Sequence, residues 1–416
     1  MKPTITELAL TLGTWGATPP DEEVQRRVVE QLAGWAARTR IILRVEVYMD
    51  APQDRNALHA LVEHSRKSEN VIPIARLEPR TDRWRYLREA GVKEAVFEVP
   101  VGEKAAAARF TPHGALRSPG FAAEAVRDAA LSGIVPEIAL VDICRANDEA
   151  VQSVIRGVQK ELHPRGAECR WRLVDKTGLG YPLPGSRRPR SMSGWVRWMK
   201  REFGISSARV NVQASDLRGL ALANTLAGVQ EGAGAVSSLF GLGHSSGWAA
   251  TEVLLLHLWR KMAGIDELLE LQDVLDAERR RDDYRPVSGR RVWQMLGGTT
   301  PEDLSAKLDA QLAIDPKRLT DRKPEPLLTA LSGHAGLLHL LHRNLPGRQF
   351  ESDDPESLAI SARFEEQFTS GRQQPVAWSE LAPKVKASSL SKGEDRGEPP
   401  GRTPTHADDT LDEADL

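Results

Sequence analysis

Short apolar runs alternate with amphipathic stretches along the first part of the chain, at the lengths of strands and helices. Runs such as Val71-Ile72-Pro73-Ile74-Ala75 are bounded by polar residues, the pattern of strands buried on both faces. Candidate strands occupy residues 5–12, 41–48, 71–76, 94–99, 137–143, 170–175, 208–213 and 234–240. Between them apolar side chains recur every three or four positions. In the first such stretch Pro19 and Pro20 lead into Asp21-Glu22-Glu23, acids suited to the positive end of a helix dipole. Val24, Val28, Val29, Leu32 and Trp35 then form one core-facing stripe. This rhythm predicts the α/β class, a (β/α)8 TIM barrel over residues 1–250.

After Leu239 the alternation stops, and from Thr251 the pattern is of helices joined by irregular segments, a helical C-terminal accessory region over 251–385. Beyond Val385 the chain is rich in Ser, Gly, Pro and acids, with almost no large apolar residue before Leu411. Residues 386–416 therefore read as a disordered tail.

With 416 residues, 40% of them hydrophobic, the chain has material for two or three structural units. Its 56 Lys and Arg nearly balance 58 Asp and Glu, leaving a net charge of −2 and no field to attract a polyanion. Nucleic acid is excluded as a general partner. Cys144 and Cys169 lack metal-site or redox spacing and read as thiols of a reducing compartment. Neither a leader-like segment nor an apolar membrane span is legible, so the expectation is a cytoplasmic protein away from membranes.

Three motifs sharpen the picture. Asp216-Leu217-Arg218-Gly219-Leu220-Ala221-Leu222-Ala223-Asn224 follows the seventh strand; Asp175-Lys176-Thr177-Gly178-Leu179-Gly180-Tyr181-Pro182 follows the sixth; and Gly241-Leu242-Gly243-His244-Ser245-Ser246-Gly247-Trp248-Ala249-Ala250-Thr251-Glu252 follows the eighth. They resemble, in order, the GxAxAN, DTxGxxxP and GxGERxGNxxxE motifs of homocitrate, isopropylmalate and citramalate synthases and of 3-hydroxy-3-methylglutaryl-CoA lyase. Ala75-Arg76 and Asp142-Ile143-Cys144-Arg145 are weaker echoes at strands three and five. The resemblance spans most of the barrel in the family's order.

What it implies for chemistry is undone at specific positions. In the family a divalent cation holds the 2-oxo acid attacked by the acetyl-CoA enolate, bound by an Asp of the first strand's LRDG motif, two His of an HxH pair and an Asn of the last loop. Here those positions read Thr14, Gln213 and Ser215, and Trp248, none a strong ligand. The Arg preceding the ligand Asp is Gly13, and two histidines of the accessory region's PxxGxxxFxHxxGxH motif become Met295 and Thr300. Neither replacement can carry a proton as imidazole does. No metal or other cofactor is therefore expected.

Some charged groups remain near the strand ends. Arg76, Arg145, Lys176 and Arg218 are positioned either to hold a carboxylate or CoA phosphate without metal, or to pair with Asp142, Asp175 and Asp216, with Thr177 alongside. His244 borders the barrel mouth in place of the family's loop Glu. The helical pairs His59 with His64 and His339 with His342 face away from the reaction centre. Ser245 and Ser246 beside His244 lack the strained elbow and third group of a nucleophilic site. Trp15, Trp248 and Trp293 are expected to fill the pocket.

The leading functional reading is a catalytically degenerate homologue of the acyl-CoA:2-oxo acid acyltransferases, acting as a binding, regulatory or partner subunit. The alternative is an acyltransferase or lyase with a rewired site. The resemblance implies a homodimer, or a hetero-oligomer with an intact synthase, and a 2-oxo acid or acyl-CoA as ligand. Trp195 and Trp198 read as exposed residues that either serve such an interface or simply pack locally.

Overall fold

The computed structural model describes residues 4–8; 22–110 apart from 40, 50, 51, 68 and 80; 114–239 apart from 184; 247–258; 294–296; and most of 325–386. Eight parallel strands close into a barrel in sequence order: β1 (Thr4–Glu7), β2 (Ile42–Tyr48), β3 (Val71–Arg76), β4 (Glu94–Pro100), β5 (Val135–Val141), β6 (Arg170–Asp175), β7 (Val210–Ala214) and β8 (Gly234–Ser237). β8 returns to β1 with Ile5 opposite Ala235. The helices are α1 (Glu22–Thr39), α2 (Pro52–Lys67), α3 (Thr81–Ala90), α4 (Glu103–Arg109), α5 (Ser118–Leu131), α6 (Asp148–Leu162), α7 (Met192–Phe203), α8 (Ala221–Gln230) and α9 (Thr251–Leu258). This is the (β/α)8 barrel the periodicity predicts, and no described helix is long and apolar enough to cross a membrane.

Among the strand ends that differ from expectation, two do so for evident local reasons, while residues 9–12 of the first expected strand lie outside the described residues. β5 stops at Val141 because Asp142 turns into the left-handed region at φ 66°, and 143–145 form a single 3-10 turn. β7 starts at Val210 because Ser207–Arg209 are a second such turn.

The main hydrophobic core lies between sheet and helices. Leu43, Val45 and Val47 of β2 meet Val28, Leu32 and Trp35 of α1 and Leu58 and Leu61 of α2, all buried in one cluster. Trp195 and Trp198 pack locally, the second of the two alternatives, and correct the expectation that they are exposed: they are 0% and 7% exposed, part of that core rather than of a free surface. Their indoles stack edge to face at 5.2 Å, because α7 turns Met192, Trp195, Val196 and Met199 inward as one helical stripe. Cys144 is buried and Cys169 half-buried, both as free thiols.

α8 presses against β7 through Gly228, where an added Cβ would lie 2.5 Å from Val212 Cγ2. A helical glycine ordinarily costs about 1 kcal/mol relative to alanine, so close approach is its reason here. Gly228→Ala should therefore destabilise the protein, by about 1–3 kcal/mol through overpacking. A higher urea midpoint for the variant would contradict that packing.

In the C-terminal half, α10 (Gly333–Asn344), α11 (Pro355–Thr369) and α12 (Trp378–Lys386) pack around Leu337, Leu341, Phe364, Phe368 and Leu381. The accessory region is not purely helical: β9 (Gln294–Leu296) and β10 (Glu325–Leu327) pair in parallel. The expected tail lies outside the described residues.

Candidate functional site at the barrel mouth

Alternate residues of a barrel strand face its interior. Here those positions carry charge. From β2 come Arg44 and Glu46, from β3 Arg76, from β4 Glu94 and Glu98, from β5 Glu137, from β6 Arg172. They connect into one network. Arg44 donates to Glu94 and Glu137, each at 2.6 Å. Arg172 donates to Glu137 at 2.7 Å and pairs with Glu46 at 2.6 Å. Arg76 spans Glu46 at 2.5 Å and Glu98 at 2.6 Å, and Lys176 reaches Glu98 at 3.2 Å where the network meets solvent. Burial alone would push the carboxyls of Glu46, Glu98 and Glu137 up. The adjoining cations outweigh it and hold all three below the ordinary carboxylate range.

Gln213, at the first position of the family's histidine pair, is drawn into this network: its amide oxygen accepts from Arg172 Nη1 at 3.2 Å. Ser215, at the second, forms an isolated antiparallel bridge with Trp248. Its backbone N–H donates to the Asp175 carbonyl at 2.9 Å. Trp248 in turn packs on a small apolar layer made of Ile74, Val96, Ala139, Val141 and Val174. Three degenerate positions are thus brought together at one end of the barrel. Thr14 and His244, with Trp15 and Trp293, fall outside the described residues.

The remaining motif residues hold loops. Asp175 is fully buried, and its Oδ1 accepts from Thr177 N at 3.1 Å, Thr177 Oγ1 at 3.2 Å and Leu179 N at 3.2 Å, its Oδ2 from Gly180 N at 2.7 Å. Asn224 closes the same turn by donating to the Gly180 carbonyl at 2.9 Å. Asp216 accepts from Ala221 N at 3.1 Å, bracing the start of α8. Asp142 is gripped by Arg145 Nε at 2.7 and 2.9 Å. Burial raises its carboxyl pKa, and Arg145 opposes the rise without reversing it.

Of the two roles open to the cations, pairing is what the geometry displays for three of them, Arg145 with the expected Asp142 and Arg76 and Lys176 with glutamates the sequence did not single out. Asp175 spends its oxygens on one hydroxyl and three backbone N–H groups, and Arg218 lies exposed beyond it. The interior residues Arg44, Glu46, Glu98, Glu137 and Arg172 went unnoticed because they lie within the strands, outside the motifs that carry the resemblance. Their signal was that a closed parallel barrel leaves no strand face in water.

The model of the HMGL-like family matches residues 39–280. A 2-phosphinomethylmalate synthase of Streptomyces hygroscopicus is 28% identical over 394 residues, which is 92% of this chain and 89% of that protein. Among solved structures, hydroxymethylglutaryl-CoA lyase from Pseudomonas aeruginosa superposes with a TM-score of 0.55 at 19% identity, over 69% of this chain and 96% of that one. HMG-CoA lyase from Brucella melitensis gives 0.52 at 16% identity, over 67% and 99%. At such identities the structural likeness concerns the fold.

Proposed function

The chain belongs to the HMGL-like family of synthases and lyases, and from that premise we propose that it is a member that has given up the family's chemistry and serves as a binding, regulatory or partner subunit. The observation that carries this reading is the placement of Trp248, whose ring lies over the apolar layer of Ile74, Val96, Ala139, Val141 and Val174 and whose backbone bridges Ser215. Where the resemblance calls for a ligand asparagine beside a histidine, a tryptophan and a serine are paired through their backbones.

The family's divalent cation would polarise the carbonyl of a 2-oxo acid. The side chains at its expected ligand positions do not fit it. Gln213 offers only a neutral amide oxygen, which already accepts from Arg172, and a guanidinium beside it repels a cation. Indole has no lone pair to give. Ser215 alone is a weak ligand.

A rewired acyltransferase is the second reading, favoured by the likeness to a synthase over 92% of this chain. In that case the partly exposed Lys176 and Arg145 are the groups to hold a substrate carboxylate. Free-thiol release from acetyl-CoA, followed across a panel of 2-oxo acids with and without magnesium, manganese or zinc, separates the two. The expected result is no acceptor-dependent release beside an active family member assayed in parallel. Release that depends on one acceptor would overturn the silent reading and make Arg145 and Lys176 the first positions to vary.

A further inference from the structure

The loop joining β6 to α7 is anchored on its inner side. Tyr181 N–H donates to the Arg190 carbonyl at 2.8 Å, and Ser186 N–H to Leu183 at 3.1 Å. Arg188 forks onto Asp148 at 3.1 and 2.5 Å and lies 5.2 Å from the ring centre of Trp195 and 4.7 Å from that of Trp198. Trp195 Nε1 donates to the Pro189 carbonyl at 2.8 Å. Such anchoring removes the ordering cost that a free loop would pay on binding.

The same loop carries an exposed set. Tyr181 and Leu183 are 51% and 54% exposed. Arg187 and Arg190 are exposed beside them, and Arg218 is exposed on the adjoining β7–α8 turn, whose backbone nitrogen at 218 would lie 3.3 Å from a Cβ on Gly178. None of these three arginines makes an ion pair among the described residues, in contrast to the paired cations of the barrel mouth. Tyrosine and arginine on a rigid support are the composition of an interface core. With an overall charge of −2, the chain offers anions no general attraction, so this basic, partly apolar surface selects locally.

We propose that this surface docks the chain's own acidic C-terminal segment, Asp408-Asp409-Thr410-Leu411-Asp412-Glu413-Ala414-Asp415-Leu416. Its carboxylates, uninterrupted by Lys or Arg, complement Arg187, Arg190 and Arg218, and Leu411 and Leu416 supply apolar contact for Tyr181 and Leu183. α12 ends at Lys386, which leaves a tether of about 20 residues and an upper reach of about 70 Å. The proposal is independent of whether the barrel catalyses.

The test is cleavage of the full-length protein after Glu413 by a glutamate-specific protease, followed by mass spectrometry. Docking slows it, and R187E/R190E is expected to accelerate it about tenfold, the loss of two or so rim ion pairs. Both arginines are exposed, so an unchanged melting temperature is expected and separates undocking from unfolding. Combining R187E/R190E with D408R/D412R should restore protection. Equal cleavage rates in wild type and R187E/R190E overturn the proposal. Protection that disappears on dilution overturns it too, by assigning the surface to the segment of a second copy.

Discussion

Glu137→Gln is expected to destabilise the barrel by about 3–5 kcal/mol, the cost of breaking a buried ion pair from one side. Glu137 lies between two fully buried guanidiniums, 2.6 Å from Arg44 and 2.7 Å from Arg172, and accepts from Asn211 Nδ2 at 3.0 Å. The amide keeps the shape and removes the charge, leaving both cations without their shared counter-ion. Urea unfolding at neutral pH measures the loss, and a midpoint for Glu137→Gln equal to wild type would mean that the network does not hold the barrel closed.

The same residue sets an acid limit. Its folded-state pKa is depressed, because Arg172 and Arg44 outweigh burial. The stabilisation is therefore complete above the unfolded carboxylate value, about 4.3, and is lost as pH falls toward the lower folded value. Wild type should lose stability steeply below about pH 4. Glu137→Gln lacks this dependence, so the gap between the two proteins should narrow in acid.

Asp175→Ala is the second large effect. One carboxylate holds the whole turn after β6, and its removal strands the N–H groups of Thr177, Leu179 and Gly180, of which Thr177 and Gly180 are buried. At about 1–3 kcal/mol for each stranded donor, and with partial relaxation into water, a loss of about 3–5 kcal/mol is expected. Asp175→Asn should fall between, since its one carbonyl oxygen serves one side of the turn while its amino group faces a donor on the other. Amide exchange at Gly180 reads the effect locally. Exchange no faster in Asp175→Ala than in wild type would show that Asn224, which bonds the Gly180 carbonyl, suffices without Asp175.

These two residues also mark where sequence reasoning works. Asp175 was legible because it sits in a motif, yet the sequence offered it as a partner for a cation and the geometry displays a loop brace. Its retention alongside Gly180 and Asn224 follows from packing: a Cβ on Gly180 would lie 2.9 Å from the Asn224 side chain. The barrel was legible because helix and strand periods differ plainly, as in Val28, Val29, Leu32 and Trp35 against Leu43, Val45 and Val47. Glu137 was not, since nothing local distinguishes a charge facing the barrel axis from one facing water. Trp198 was misjudged for a related reason: large aromatics look available until the covering residue, here Arg188, is known. The left-handed backbone at Asp142 could not be foreseen from its own residue type. Gly102 explains how it is accommodated, because any side chain there would meet the Asp142 carboxylate at 2.3 Å.

A barrel filled with ions responds to heat differently from one filled with hydrocarbon. The hydration that charged groups surrender on folding becomes less favourable as temperature rises, so the penalty for burying Arg44, Arg76, Arg172 and their glutamates shrinks on warming. Hydrophobic stabilisation per unit area levels off over the same range. The interior of this chain should therefore contribute relatively more near its melting temperature than at 25 °C, and the outer shell between sheet and helices relatively less. On heating, the helical layer is the part expected to loosen first, around a ring of strands still held by its charges.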